Sequence, residues 1–325
     1  MIIPDRIYGD ISVEDTVIID LIDSKPFQRL KHISQDGASH LLQPFRNVTR
    51  YEHCIGAWYL SKKYNRPIEE QIASLLHDLP HTAFSHVIDF VVGDIKHAYH
   101  DNFLKQVILN SEIPELLKKH NISLEKILAK ENFYLLDNNL PDISVDRWDY
   151  FMRDGFNGDF LPKQVIDLFL SSIYEKNERF YFTDVRIASM FSILFMNCSR
   201  LLWMDPASHG SAFLLANAIK IALNKKYITQ EDFFDTDDRL MQKLVEANDD
   251  EVNSLLDRLK PTTQFVYASK EEAEFYGSNK PRFVNPWVMN EGELVHLSEL
   301  ISGLQQYFDD FTKRHKNLGV KQISS

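Results

Sequence analysis

Cysteine is nearly missing from this chain. Cys54 and Cys198 are the only two among 325 residues, too few for a disulfide framework, so a reducing, cytoplasmic setting is expected. Positive charge is also short: 36 Lys and Arg face 47 Asp and Glu, giving a net charge of -11. That balance argues against nucleic acid as a partner, and no stripe of basic residues interleaved with aromatics offsets it. An anionic small molecule would have to be met by positive charge focused locally, through a metal and a few Arg or Lys. No run of about eighteen uninterrupted apolar residues is present, which argues against a membrane span. The opening stretch, MIIPDRIYGDISVED, carries charges and no apolar core, unlike a secretory signal. Internal repeats and low-complexity tracts are absent too.

What remains is the composition of a globular protein, 44% hydrophobic and 26% charged, long enough to bury a large core. Its periodicity is mainly helical. Val17, Ile18, Leu21 and Ile22 share one face. Pro26 suits the first turn of a second helix capped by Ser24. Thr49 with Glu52 forms a capping box for a helix carrying Ile55, Trp58 and Leu60. Pro67 restarts a helix that places His77-Asp78 at its end, because Pro80 disfavours helical geometry just before it. Further helices are expected over 97–110, 112–119 and 123–130. Ser144 caps another that stops at Gly155 and sets Asp146, Tyr150 and Asp154 on one face. A hairpin turning at 176–178 precedes helices over 185–203 and 208–226, then 229–234, 236–247 and 249–259. Short extended patterns at 263–268 and 282–289 suggest a small β-containing appendage, followed by a helix over 294–315 and a frayed tail. The expected fold is mainly α: a helical core over 1–226, and a helical and small α+β region over 227–325 packed on it.

Six of the twelve histidines fall between Arg50 and His100. His77-Asp78, joined by His53 from the preceding helix and Asp146 from a later one, makes four protein ligands for a divalent metal. Imidazole nitrogens with carboxylate oxygens suit Mn, Fe, Zn, Co or Ni. Such an ion stabilises charge developing on a phosphoryl oxygen, and Mg on the substrate phosphates would accompany it. Each residue also has a plainer reading: an adjacent His-Asp pair arises by chance, a lone His53 suits a core, Tyr150 suits an aromatic cluster, and His100 suits a solvated helix.

The chain resembles the HD-domain phosphohydrolases, and within them the deoxynucleoside triphosphate triphosphohydrolase branch. The matching pieces are Phe27-Gln28-Arg29-Leu30 with Gln35, Arg50-Tyr51-Glu52-His53, His77-Asp78-Leu79 with His81 and His86, and Val145-Asp146-Arg147-Trp148-Asp149-Tyr150 through Asp154. The resemblance implies that His53, His77, Asp78 and Asp146 hold the metal and that His81 and His86 lie near the phosphates. It also implies that Asp89 and His100 form a pair whose imidazole protonates the leaving oxygen, a role a carboxylate-supported His can fill. His97 reads as structural. Arg50 and Arg147 would contact phosphate, while Gln35, Tyr150 and Asp154 would face the sugar. Arg200 and His209 stand roughly where that branch carries an Arg and a His. Pro80 replaces the usual Gly, and a Tyr-Gln pair before the later His is missing.

The resulting expectation is a metal-dependent enzyme acting on a phosphorylated small molecule, a nucleotide, and assembled as a homo-oligomer. Release of whole triphosphate from a deoxynucleoside is the leading reaction. The alternatives are a nucleoside monophosphate phosphatase, a phosphodiesterase, or a nucleotide-binding protein that has kept the fold without turnover.

Overall fold

The computed structural model describes residues 1–94, 99–129 and 132–323; His97 lies outside them. The lead-in is a hairpin, β1 (Ile2–Asp5) with β2 (Gly9–Ser12), paired antiparallel. Helices Thr16–Asp23 and Lys25–Arg29 follow as the periodicity implies. Ser24 stands at the N-cap of the second helix as expected, but its hydroxyl makes no capping bond there and instead donates to the Leu21 carbonyl at 2.6 Å, closing the first helix.

Three helices position the centre of the molecule. Arg50–Lys63 opens on the expected capping box, with the Glu52 N–H donating to Thr49 Oγ1 at 3.2 Å and the Thr49 N–H donating to the Glu52 carboxylate at 3.0 Å. A cap of this kind contributes about 1 kcal/mol. The helix packs against Ile68–Leu76, which ends at His77, and against Val145–Asn157, where the Ser144 hydroxyl accepts the Arg147 N–H. Gly56 makes the second crossing possible, because a Cβ there would strike the Asp149 and Arg153 side chains. Gly155 is not the expected stop. The helix runs through it to Asn157, and the missing Cβ leaves room for Leu161, whose Cδ1 would otherwise sit 2.5 Å away.

The main core gathers Trp58, Trp148, Phe151, Phe169, Phe191 and Phe195. A second cluster packs Ala83, Phe84, Val87 and Ile88 against Leu215, Ala216 and Ile219 of the helix Pro206–Asn224, and so fixes the loop that follows His77-Asp78. Val185–Trp203 alone among the described residues is long and apolar enough to cross a membrane. In the fold its Phe191, Phe195 and Met196 are buried in the protein. It comprises the helix Val185–Cys198 and a π-helical turn, Ser199–Trp203.

β3 (Ile173–Lys176) and β4 (Arg179–Phe182) form the expected hairpin, with Asn177 and Glu178 both at positive φ, 54° and 58°. Positive φ at both central residues suits the twist of a two-residue hairpin turn. The C-terminal region extends this hairpin: β7 (Trp287–Asn290) pairs with β4 in parallel and β8 (Glu293–His296) pairs with β7, giving the order β3-β4-β7-β8. The expected helix over 294–315 is therefore shorter. Its first residues belong to β8, a short helix follows over Leu297–Leu300, the chain breaks at Gly303 (φ 81°), and the longer helix runs over Leu304–His315. The tail is not frayed: β9 (Asn317–Gln322) is the middle strand between β5 (Phe265–Tyr267) and β6 (Phe275–Ser278). Likewise His100–Phe103 is a 3₁₀ turn ahead of Leu104–Leu109, not the front of one longer helix.

Candidate metal centre and catalytic cavity

His53, His77, Asp78 and Asp146 converge. His53 Nε2 lies 3.2 Å from His77 Nε2, 3.0 Å from Asp146 Oδ1 and 3.5 Å from Asp78 Oδ2. His77 Nε2 is 3.5 Å from both Asp78 Oδ1 and Asp146 Oδ1. Ligands at about 2.1 Å and right angles around one ion would be about 3.0 Å apart, so the donor set fits a divalent metal. The outer contacts say the same. His53 Nδ1 meets the Asp149 carboxylate at 2.8 Å and His77 Nδ1 meets the Ser74 carbonyl at 2.8 Å. With Nδ1–H donated outward in both rings, the Nε2 atoms of both face the same point, the arrangement that presents two imidazole lone pairs to a cation. Burial lowers the basicity of His53, but the carboxylates of Asp146, Asp149 and Asp78 outweigh it and push its pKa up to about 10. Burial raises Asp146, yet His53 and His77 hold it well below the carboxylate range. The cluster has the electrostatics of a site short of positive charge.

Asp149 anchors this arrangement. It is fully buried and also accepts from Tyr8 Oη and Arg153 Nε, each at 2.7 Å, while Arg153 Nη2 donates to Asp5 at 2.8 Å. Its role as support for His53 was not evident from sequence, although the i,i+4 spacing of Asp149 and Arg153 was a usable signal. Arg50 acts similarly on Asp78, with Nη1 at 2.6 Å from Oδ2, Nε at 3.0 Å from Ser85 Oγ and Nη2 at 3.3 Å from the Gln35 carbonyl. The expected phosphate contact thus has its donors engaged in bracing a ligand.

A cavity of about 900 Å³ opens over the cluster, and of the candidate residues only His53, Asp89 and Arg200 do not line it. His53 is sealed beneath. The rings of His81 and His100 stack 3.7 Å apart, with His86 edge-on at 5.2 and 5.5 Å. The expected Asp89–His100 pair takes a different form: Asp89 Oδ2 accepts from His86 Nδ1 at 2.8 Å, and the ligand atoms of His86, Asp89 and His100 gather within 4.8 Å. Burial lowers the pKa of His100 to about 4, assisted by His86. His81 also falls, through burial and then the Arg50 charge.

The far wall is aromatic. Tyr150 stands edge-on to Trp203 at 5.1 Å, and Trp203 Nε1 donates to Asp154 Oδ2 at 2.7 Å. Burial and the nearby Asp36 carboxylate push Asp154 up to about 8. Arg147 lines the cavity but gives its donors to Asn138 Oδ1, the Asn138 carbonyl and the Asp142 carbonyl at 2.6–2.7 Å, so it pins the 137–142 loop. Arg200 is exposed and outside the cavity, because the wide π-helical turn brings Trp203 inward and leaves Arg200 on the surface. His209 does line it. Trp203, Lys280 and Arg282 line it as well, unanticipated by any sequence motif. Among the described residues, Gln35 Oε1, His81 Nδ1 and Asp154 Oδ1 are buried here without a hydrogen-bond partner.

The HD domain model matches residues 50–154, the segment that carries all four converging ligands. The uncharacterized protein YdhJ of Bacillus subtilis is 37% identical over 92% of this chain and 91% of its own length. Metal-dependent phosphohydrolase cns2 of Cordyceps militaris is 30% identical over 64% of this chain and 62% of its own. Deoxynucleoside triphosphate triphosphohydrolase SAMHD1 of Bos taurus is 30% identical over 47% of this chain, which spans only 35% of that protein. In fold, a phosphohydrolase structure from Bacteroides thetaiotaomicron superposes with a TM-score of 0.76 at 17% identity, covering 98% of both chains. The chain belongs to the HD-domain family of metal-dependent phosphohydrolases.

Proposed function

We propose that this enzyme hydrolyses a deoxynucleoside triphosphate, releasing the intact triphosphate. The observation that carries this reading is the set of orphaned polar atoms on residues that line one cavity, Gln35 Oε1, Asp154 Oδ1 and His81 Nδ1. Leaving a buried polar atom unpaired costs about 1–3 kcal/mol, so these atoms are suited to a ligand with hydroxyls at one end and phosphate at the other. The volume of about 900 Å³ is within the usual range for a small-molecule site. Support also comes from the SAMHD1 proteins, whose name states that they act on deoxynucleoside triphosphates.

His53, His77, Asp78 and Asp146 would hold the metal, which when bound supplies Lewis-acid stabilisation of charge developing on the phosphoryl oxygens. The protein's own groups do the rest. Asp149, the Ser74 carbonyl and Arg50 keep His53, His77 and Asp78 aimed inward. Tyr150 packs on the sugar, and Asp154 and Gln35 bond its hydroxyls. Water adds to the α-phosphorus and gives a proton to solvent, the bond from phosphorus to the 5′ oxygen breaks, and that oxygen takes a proton from the His100 imidazolium, the form that the negative charge of bound triphosphate favours against the burial that lowers its pKa. Asp89 fixes the adjacent His86 through Nδ1.

Phosphorus NMR of products tests the proposal, using Mn-supplied protein with mixed deoxynucleoside tri- and monophosphates and His77→Ala as control. Tripolyphosphate from the wild type alone is the expected result. Orthophosphate arising only from monophosphates would replace it with a nucleotidase reading.

A further inference from the structure

The Lys and Arg side chains that line the cavity fall into two groups. Arg46 is engaged by Gln43 Oε1 at 2.5 Å and by the Asp205 and Asp36 carboxylates at 3.3 and 3.6 Å. Arg50 and Arg147 are committed to Asp78 and to the 137–142 loop. Lys280 and Arg282 differ: among the described residues neither side chain forms a hydrogen bond or an ion pair. The Arg282 guanidinium lies over two ring faces, 5.5 Å from the Tyr150 centroid and 5.6 Å from that of Trp203. This contact orients its plane without using its N–H donors.

The backbone that carries these cations is firmly held. Immediately after β6, the Asn279 N–H donates to the Lys316 carbonyl at 2.7 Å and its side-chain amide to the His315 carbonyl at 2.9 Å. Three residues on, the Arg282 N–H donates to Ser199 Oγ at 3.0 Å. The segment is therefore tied both to the C-terminal helix and to the π-helical turn that delivers Trp203. Burial, with Arg282 and Arg147 close by, lowers the pKa of Lys280, consistent with like charges gathered around a common space.

We infer that Lys280 and Arg282 form an arm that binds the polyphosphate end of the substrate. This rests on the reading of the cavity as a phosphorylated-nucleotide site, and it assigns the anion contact to the C-terminal region. An unpaired guanidinium presents a planar fork of donors matched to phosphate oxygens, and the ammonium adds a point charge beside it. The arm thereby fills the role that the surface-exposed Arg200 does not.

Calorimetric titration with inorganic tripolyphosphate, and separately with an unphosphorylated deoxynucleoside, tests the arm. The proteins are the wild type, Arg282→Ala, Arg282→Lys and Lys280→Ala, matched for metal content and melting temperature. Arg282→Ala should weaken tripolyphosphate binding at least 10-fold and Lys280→Ala about 3-fold, with Arg282→Lys between wild type and Arg282→Ala. Deoxynucleoside binding should be unchanged. Wild-type tripolyphosphate affinity in both alanine variants would overturn the arm and leave the cavity reading intact. Equal losses for both ligands would overturn it in favour of a role in holding Tyr150 and Trp203. No tripolyphosphate binding by the wild type would overturn the cavity reading and the arm together.

Discussion

The strongest demand on the metal centre falls on a residue that touches no metal. Asp149 accepts from His53 Nδ1, Tyr8 Oη and Arg153 Nε at 2.7–2.8 Å in a fully buried position. In Asp149→Asn, the amide oxygen can keep the bonds to His53 and Arg153 while the NH₂ turns to Tyr8, whose hydroxyl oxygen accepts. The geometry survives but the charge that supports the imidazole is lost. Supporting residues of this kind contribute 10- to 100-fold in metal affinity, so the Asn variant should lose about 10-fold and Asp149→Ala about 100-fold. These losses correspond to about 1.4 and 2.7 kcal/mol. Stability should separate the two further. Asp149→Ala leaves buried Arg153 with Asp5 alone, and breaking a buried pair costs about 3–5 kcal/mol, a fall on the order of 10 °C in melting temperature. Competition with a chelating dye gives the metal dissociation constant, and a thermal melt of the metal-free protein gives the stability cost. Metal affinity in Asp149→Asn and Asp149→Ala equal to wild type would refute the reasoning, whatever the melts showed.

Three further outcomes are expected. His77→Ala and Asp78→Ala should each lose the bound metal, measured by elemental analysis, and with it all turnover; activity in a metal-free variant would overturn the ligand assignment. His100→Ala should retain metal yet turn over more slowly with a changed pH profile, and a profile superimposable on wild type would remove it as the proton donor. Burial pushes the Asp237 carboxyl up to about 7, even though it accepts the Ser34 and Phe84 N–H groups. A carboxyl with a raised folded pKa makes the folded state bind more protons than the unfolded one, so its contribution to stability falls as pH rises from about 4 to 7. Denaturant melts across that window should show a steeper decline for wild type than for Asp237→Asn, and parallel declines would contradict this.

What the sequence made legible was local or carried by compact motifs. The capping box at Thr49 and Glu52 and the helix end at His77 depend on neighbours a few residues apart, and both stand in the structure. His53 and Asp146 stand on two helices and His77-Asp78 at the end of a third, so short stretches of chain supply all four ligands. Gly155 misled because its turn-forming character and its need for space beside Leu161 look the same in sequence. β9 was hidden for another reason: six residues with a central Gly319 carry little strand signal, and their partners β5 and β6 lie about forty to sixty residues away.

The same distinction explains the exchange of Arg200 for Arg282. Whether an arginine reaches a cavity depends on backbone geometry at that point, and a π-helical turn at Ser199–Trp203 cannot be seen in helical periodicity, since one extra residue per turn rotates every following side chain. Arg282 reaches the cavity only because β7 pairs with β4 and Ser199 Oγ accepts its N–H. Those contacts join positions about eighty to a hundred residues apart. The ligands of the metal centre are thus encoded in short motifs, whereas the cations free to meet the substrate are encoded in the tertiary packing of the C-terminal region.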